Sequence, residues 1–313
     1  MYKYIFGPVP SRRLGVSLGV DLVMSKTCNL DCIYCECGST TKFYNIRDSY
    51  IDIDRLIVEL EDVLQNLTPD YITFSGSGEQ TLNKDLGIII KKVRKIYSGK
   101  IAVITNSSLL NDLEVRESLE EADLIIPSLD AISEDVFKKI NRPIEGLMAK
   151  NILDGMTKFL STTKKEVYLE IFIVEGINDG VQELEKFVKY LKDKKISTIQ
   201  LNTLARPGAV KDIKPASMKK LSEIKEFFIN NGLNSVEIIK KYTSREELPK
   251  YSEKLEKLIL NMLAKRRYSV HEMGELLQRN EIELFKYLNI LQKEGKVNVV
   301  VENDQIYIKS KKK

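Results

Sequence analysis

The chain has 313 residues, of which 43% are hydrophobic and 30% charged, with a formal net charge of +4 and no tryptophan. That length accommodates a large catalytic domain and a small second one. No run of eighteen apolar residues occurs, which excludes a transmembrane helix, and four cysteines, three of them clustered, fit a reducing cytosol better than a disulfide framework.

The start, Met1-Tyr-Lys-Tyr-Ile-Phe-Gly-Pro, lacks the charged, apolar and small-residue sections of an export signal, so the expectation is a cytoplasmic protein. The positive charge is uneven. Residues 251–313 hold thirteen Lys/Arg against nine Asp/Glu, whereas residues 1–250 balance thirty-six against thirty-six. Four of the thirteen are Lys309 and the terminal Lys311, Lys312 and Lys313, a solvated tail by composition. Overall charge therefore gives little support for nucleic-acid binding.

In chain order, Gly7-Pro-Val-Pro-Ser-Arg-Arg-Leu-Gly15 reads as an extended, rigid stretch, and Ser17–Met24 as an apolar strand leading into the cysteine loop. Ile53–Leu67 has helical periodicity. Strands then alternate with helices: strands at Asp70–Phe74, Lys100–Thr105, Ala122–Leu129, Val167–Val174 and Thr198–Leu204, and a possible seventh at Ser235–Ile239. The helices are Asp85–Tyr97, Asp112–Glu120, Ser133–Ile140, Leu147–Leu160, Val181–Lys192 and Ser217–Asn230. This alternation implies right-handed βαβ crossovers, an α/β fold with a parallel sheet, and about six units suggest a partial (βα)6 barrel. Functional residues of such barrels sit at the C-terminal strand ends.

Lys240–Lys250 reads as a polar linker, giving a domain over 1–240, a linker over 241–252 and a small domain over 253–313. In the last, helices are expected over Leu255–Ala264, over Val270–Gln278 with Ser269 and Glu272 as a capping box, and from Asn280 or Glu281 to Lys293. A hairpin of Val297–Val301 and Gln305–Ile308 follows. Three helices and a two-stranded wing resemble a winged-helix domain. Its third helix opens with Glu281 and Glu283, which would repel phosphate, although Arg266, Arg267 and Arg279 lie nearby, so a peptide- or protein-docking module or an intramolecular lid is favoured slightly over a nucleic-acid reader.

The chemistry is concentrated in Cys28-Asn-Leu-Asp-Cys32-Ile-Tyr-Cys35. Three thiolates this close can hold three irons of a [4Fe–4S] cube and leave the fourth open to a small molecule. Zinc, a closed structural cluster and unligated thiols are the competing readings of the spacing. Cys37 is a spare thiol, an alternative ligand or a substrate contact. Polar motifs stand at the expected strand ends: Gly76-Ser-Gly78-Glu79-Gln80, Thr105-Asn106-Ser107, Ser128-Leu-Asp130 and Gln200-Leu-Asn202. Asn106 is otherwise an N-cap, and Asp130 a cap for the helix near Ser133. Glu170 lies within an apolar strand, costly unless paired. Arg12 and Arg13 are solvated, or face an anionic substrate or cofactor carboxylate.

Together these segments, with Asn141-Arg-Pro143, resemble the radical S-adenosylmethionine (SAM) superfamily over about residues 1–210, and within it a group related to the wyosine-synthesising tRNA enzymes. The resemblance implies a [4Fe–4S] cluster on Cys28, Cys32 and Cys35, with SAM chelated to the open iron and cleaved by one electron to methionine and a 5′-deoxyadenosyl radical. It implies that Tyr34 packs near the adenine, and that Gly76, Gly78 and Glu79 receive the amino group of SAM. Asn106 would hold its carboxylate or ribose, Ser128 and Asp130 its ribose or the substrate, and Gln200 and Asn202 the adenine or the substrate. An electron donor such as flavodoxin or ferredoxin is also implied. The substrate would be a modified nucleoside or tRNA, a peptide or a protein. Two departures stand out: Gln80 replaces a usual proline, and no cysteine precedes Cys28 to hold the second cluster of the archaeal wyosine enzymes. The alternative is an iron–sulfur redox sensor acting through the winged helix.

Overall fold

In the computed structural model of the chain, residues 2–239 are described, except 41 and 66, and residues 253–311, except 278, 280–283, 285–286, 289–290, 293 and 303–304. Eight strands form one sheet in chain order. β1 (Ile5–Ser11) is antiparallel to β2 (Gly15–Val20), and each later neighbouring pair is parallel. The parallel strands are β2, β3 (Tyr71–Phe74), β4 (Lys100–Thr105), β5 (Leu124–Pro127), β6 (Glu166–Phe172), β7 (Thr198–Asn202) and β8 (Val236–Ile238). Between them run α1 (Ile53–Leu64), α2 (Leu86–Ile96), α3 (Leu113–Leu119), α4 (Glu134–Ile140), α5 (Ala149–Thr162), α6 (Val181–Leu191) and α7 (Met218–Asn230). Six strand–helix units closed by β8 make the partial (βα)6 barrel that the alternation predicts.

The strands are buried on both faces, which is why they read as continuous apolar runs such as Ile101-Ala-Val-Ile104 and Leu124-Ile-Ile-Pro127. One face packs under the helices, where Phe74, Phe159, Phe187 and Phe228 are fully buried. Each such side chain contributes about 2–3 kcal/mol through burial. The other face lines the barrel. Its floor is apolar: Leu14, Ala102, Leu124 and Ile126, with Tyr71, Ile104 and Tyr168 against them. Further along the same strands the inward positions turn polar, at Asn106, Ser128, Glu170, Gln200 and Asn202. The period of two along each strand thus carries the apolar floor directly into a polar mouth.

Two segments differ from expectation. The Gly-Pro-Val-Pro stretch belongs to a strand, β1, because extended residues with prolines suit a sheet edge. β2 ends at Val20 rather than Met24. Asp21 turns the chain away by accepting the backbone N–H of Val23 at 3.3 Å and of Ser77 at 3.0 Å.

A second apolar core gathers Leu255, Ile259, Leu263, Met273, Leu284 and Leu288. It lies under α8 (Glu253–Lys265), α9 (Val270–Leu277) and a three-stranded antiparallel sheet of β9 (Tyr268–Ser269), β10 (Val297–Glu302) and β11 (Gln305–Ser310). Ser269 and Glu272 form the capping box reciprocally: the Glu272 N–H donates to Ser269 Oγ at 3.0 Å and the Ser269 N–H to Glu272 Oε2 at 2.8 Å. β9 is an addition to the expected elements. The linker Lys240–Lys250 lies outside the described residues, as does most of the third helix.

Candidate active site

The cysteine loop is fixed from three sides before any side chain reaches it. The glycine turn after β3 grips it through Lys26 N–H to Ser77 O at 3.1 Å and Glu79 N–H to Thr27 O at 2.9 Å. A Cβ on Gly78 would stand 2.1 Å from Thr27 O, so no other residue permits this approach. A Cβ on Gly76 would collide with the Asp21 carboxylate at 2.3 Å. From the other side, the turn after α4 donates and accepts: Asp31 N–H to Asn141 O at 3.0 Å, Ile33 N–H to Ile140 O at 2.9 Å and Ile144 N–H to Asn29 O at 2.9 Å. From the third, Val210 N–H reaches Ile33 O at 3.0 Å.

Gln80 does by side chain what proline would do by ring. Its Oε1 accepts the Leu22 N–H at 2.7 Å, and its Nε2 donates to Asp21 Oδ1 and Gly78 O, each at 3.2 Å. The glycine turn is thereby tied to the end of β2.

Two amides touch the thiols. Asn106 Nδ2 donates to Cys28 Sγ at 3.5 Å, and Asn141 Nδ2 to Cys32 Sγ at 3.3 Å. Lys26 Nζ lies 3.4 Å from Cys35 Sγ. Burial pushes the Cys28 thiol up to about 11, with the Glu79 carboxylate adding to it, and pushes Cys32 up as well. Cys35 moves the other way, because the Cys37 thiol donates to it and Lys26 is near. Thiolates at Cys28 and Cys32 thus need a cationic partner, which iron supplies.

The donor set fits a cluster. The three thiols sense one another electrostatically, two carry N–H donors, and beside Cys28 the buried Asn29 Nδ2 and Thr27 Oγ1 have no protein partner. Among the described residues, no three His, Cys, Asp or Glu side chains converge on a single ion. That is compatible with a cube, whose thiolates each take a different iron.

Around the loop, the sequence-selected residues separate into two shells. Glu79 is 3% exposed and its oxygens are filled: they accept Thr81 N–H at 3.0 Å, Thr81 Oγ1 at 2.6 Å, Thr105 Oγ1 at 2.7 Å and Asn106 N–H at 2.6 Å. The side chain ties the end of β3 to the end of β4. Asp130 is also 3% exposed. It accepts Tyr34 OH, Asn141 Nδ2 at 2.8 Å and Phe172 N–H at 3.0 Å. Neither Asp130 nor Asn106 caps a helix: Ser133 is the N-cap of α4 and Asp112 of α3. Tyr34 stacks on Phe172 with ring centroids 3.8 Å apart and planes 10° from parallel. Tyr34, Asn106, Ser128, Asp130 and Asn141 line a small cavity of about 20 Å³.

Gln200 and Asn202 belong to a separate polar cluster. Arg13 reaches in from the β1–β2 turn to an ion pair with Glu170 and to Gln200 Oε1 at 3.2 Å, while Asn202 Nδ2 donates to Glu170 Oε2 at 3.3 Å. The buried carboxylate is therefore paired.

Asn141, Asn29, Phe172 and Asp21 were not among the residues singled out for the site. Asn141 stands in the Asn-Arg-Pro segment, but only the fold brings it to Cys32, across 109 positions. Ser107 occupies the left-handed region at φ 69°, where the family pattern often has glycine, and its Oγ donates to Ser128 O at 2.7 Å.

Asp130 carries a pH signature. Burial pushes its carboxyl up to about 6 from an ordinary value of 3.8, against the opposing pull of Tyr34, Asn141 and Phe172. A raised folded value favours the protonated form. Its stabilisation is complete below about pH 4 and is lost as pH rises through 6, a change of about 3 kcal/mol. Asp130→Asn removes this dependence. The stability difference between wild type and variant, from urea unfolding under reducing conditions at pH 5 and pH 8, should shift by about 1.4 kcal/mol in favour of the variant at pH 8, roughly half of the full change because the unfolded carboxyl is already ionised at pH 5. A constant offset from the lost Asn141 bond leaves the shift intact, and a difference independent of pH would refute it.

The radical SAM superfamily profile matches residues 22–191. A UPF0026 protein of Methanocaldococcus jannaschii is 34% identical over 296 residues, covering 93% of this chain and 91% of that one. A protein of Brachyspira hyodysenteriae named GTPase Obg is 35% identical over 302 residues, 96% of this chain, although the chain spans only 44% of its length. Among solved structures, TYW1 with a lysine–pyruvate adduct shares the fold at TM-score 0.53 and 20% identity, covering 74% of this chain and 76% of that one. The fold, the gathered thiols and these relatives agree: the chain belongs to the radical SAM superfamily, whose members use a [4Fe–4S] cluster and S-adenosylmethionine.

Proposed function

We propose that the chain reductively cleaves S-adenosylmethionine and uses the resulting radical to abstract hydrogen from an organic substrate. The observation that carries this reading is the placement of Cys28, Cys32 and Cys35 at the barrel mouth, with amide donors on two of the sulfurs. When bound, the cluster supplies the electron that splits SAM into methionine and a 5′-deoxyadenosyl radical. The chain's own residues hold and tune. The N–H groups of Asn106 and Asn141 stabilise negative charge on the Cys28 and Cys32 sulfurs, a lever on reduction potential. The carbonyls of the Gly76–Gly78 turn offer acceptors for the SAM ammonium, and Glu79 positions that turn rather than touching the ligand. Asp130 holds Tyr34 against Phe172, so that the aromatic pair forms one wall of the SAM pocket beside Ser128.

Gln200, Asn202 and Glu170, on β6 and β7 beside Ser128, serve the substrate end. Flavodoxin or ferredoxin supplies the electron. The domain from residue 253 is winged-helix-like and docks a partner, a peptide or protein ahead of nucleic acid. The test is anaerobic loading with iron and sulfide, then dithionite and SAM, with 5′-deoxyadenosine measured by mass spectrometry. Formation of 5′-deoxyadenosine is the expected result. A fully loaded cluster that yields none, even with cell extract as a source of substrate, would sink the reading in favour of a redox sensor.

A further inference from the structure

We propose that Arg12, assisted by Arg206, forms an anion-binding subsite at the substrate end of the barrel, so that the molecule acted on carries a phosphate or carboxylate group. The inference rests on the reading of the chain as a radical SAM enzyme and adds a chemical class to its substrate.

Arg12 and Arg13 are adjacent in the β1–β2 turn, which Ser11 Oγ fixes by accepting the N–H groups of Arg13 and Leu14 at 3.4 and 3.2 Å. Their fates differ. Arg13 is neutralised by Glu170 and further held by Gln200. Arg12 is partly buried and has no hydrogen-bonding or ion-pair partner among the described residues. Arg13, Glu170, Glu36 and Arg206 lie near enough to act on its charge. Glu170 is engaged by Arg13, and Glu36 by Arg206 at 3.2 Å. Of the three guanidinium groups in this neighbourhood, Arg13 and Arg206 each have a carboxylate in direct contact, and Arg12 does not.

That arrangement is unfavourable in the free protein. Burial, then the neighbouring Arg13 charge, pull the Arg12 guanidinium below its usual range. An unpaired charge withdrawn from water costs stability, and a bound anion removes that cost. Guanidinium matches phosphate and carboxylate through paired, parallel N–H donors, which makes arginine the appropriate side chain. The subsite also lies where a substrate is needed. Glu36 follows Cys35 directly, and Arg206 follows β7, so an anion held here places the rest of its molecule against the cluster loop.

The experiment uses the full chain with its cluster loaded and inorganic pyrophosphate as probe, followed by calorimetry at low salt. Wild type is expected to bind pyrophosphate. Arg12→Gln should weaken binding at least tenfold, and Arg12→Lys should recover part of the loss. Glu36→Gln, which frees Arg206, should tighten binding severalfold. Near-ultraviolet circular dichroism checks that each variant is folded, and Lys219→Gln is the remote control. Saturating SAM should leave pyrophosphate binding in place. Displacement of pyrophosphate by SAM would overturn the proposal by assigning Arg12 to the SAM carboxylate. Undiminished binding in Arg12→Gln, or no binding in wild type, would overturn it too. Failure of the underlying enzymatic reading shows separately, as absence of 5′-deoxyadenosine from the wild type.

Discussion

Replacement of Cys32 by alanine is expected to abolish SAM cleavage completely while the barrel stays folded. Cys32 contributes modest packing to the core, so stability should fall by about 1–2 kcal/mol. Its loss leaves two thiolates in the motif and strips the Asn141 amide of its sulfur acceptor. Anaerobic iron and sulfide analysis should show little bound cluster, and 5′-deoxyadenosine should fall below detection. Cys37→Ala is the informative contrast. Cys37 is exposed; its thiol donates to Cys35 and reaches Gly76 O at 3.7 Å, contacts that a bound cluster replaces. It should retain the cluster and the activity. Loss of the cluster in Cys37→Ala would mean a four-thiolate site with no open iron, and the SAM reading would fall with it.

The second large effect is on folding. Glu79→Ala removes one acceptor site for four donors, all at 3.0 Å or less and all in buried surroundings except the Asn106 N–H, which is part-buried. An orphaned buried donor costs about 1–3 kcal/mol. Even with partial relaxation, the variant should lose about 4 kcal/mol or more in urea unfolding, a large share of a typical domain's stability. Glu79→Gln retains one acceptor oxygen and should lose about half as much. The functional loss should follow from geometry. With the end of β4 released, Asn106 no longer holds its place against Cys28, and cluster retention should fall in step with stability. A Glu79→Ala protein of wild-type stability would show that these hydrogen bonds do not lock the strand ends together.

Much of the architecture was legible because the barrel is built from local signals. Apolar runs between amphipathic helices mark the strands, and the polar residues at their C-terminal ends mark the mouth. The cysteine spacing carries the chemistry within eight residues. What the chain order hides is which polar groups face a ligand and which face each other. Glu79 and Asp130 look like ligand contacts because they are acidic residues at strand ends. In three dimensions their oxygens are taken by Thr81, Thr105, Asn106, Tyr34, Asn141 and Phe172, donors drawn from as far as 96 positions away. Glu170 likewise reads as an isolated buried charge until Arg13 arrives from 157 positions off. Asn141 is marked by its Asn-Arg-Pro segment, but nothing local tells that its amide reaches Cys32, since an asparagine at a helix end is ordinary.

The strand β1 has a consequence for how the protein behaves in a crowded cell. An open barrel leaves β1 as an edge strand, partly covered by α9, and any uncovered stretch of such an edge is a template for pairing with another chain. Pro8 and Pro10 stand two apart in β1 and bring no N–H to it, so both gaps fall on the same margin of the strand. β1 still pairs with β2 at Val9 and Ser11. Its other margin therefore offers acceptors without the matching donors. A stray strand laid alongside would find every second bond missing, and intermolecular sheet growth would stop where the barrel begins.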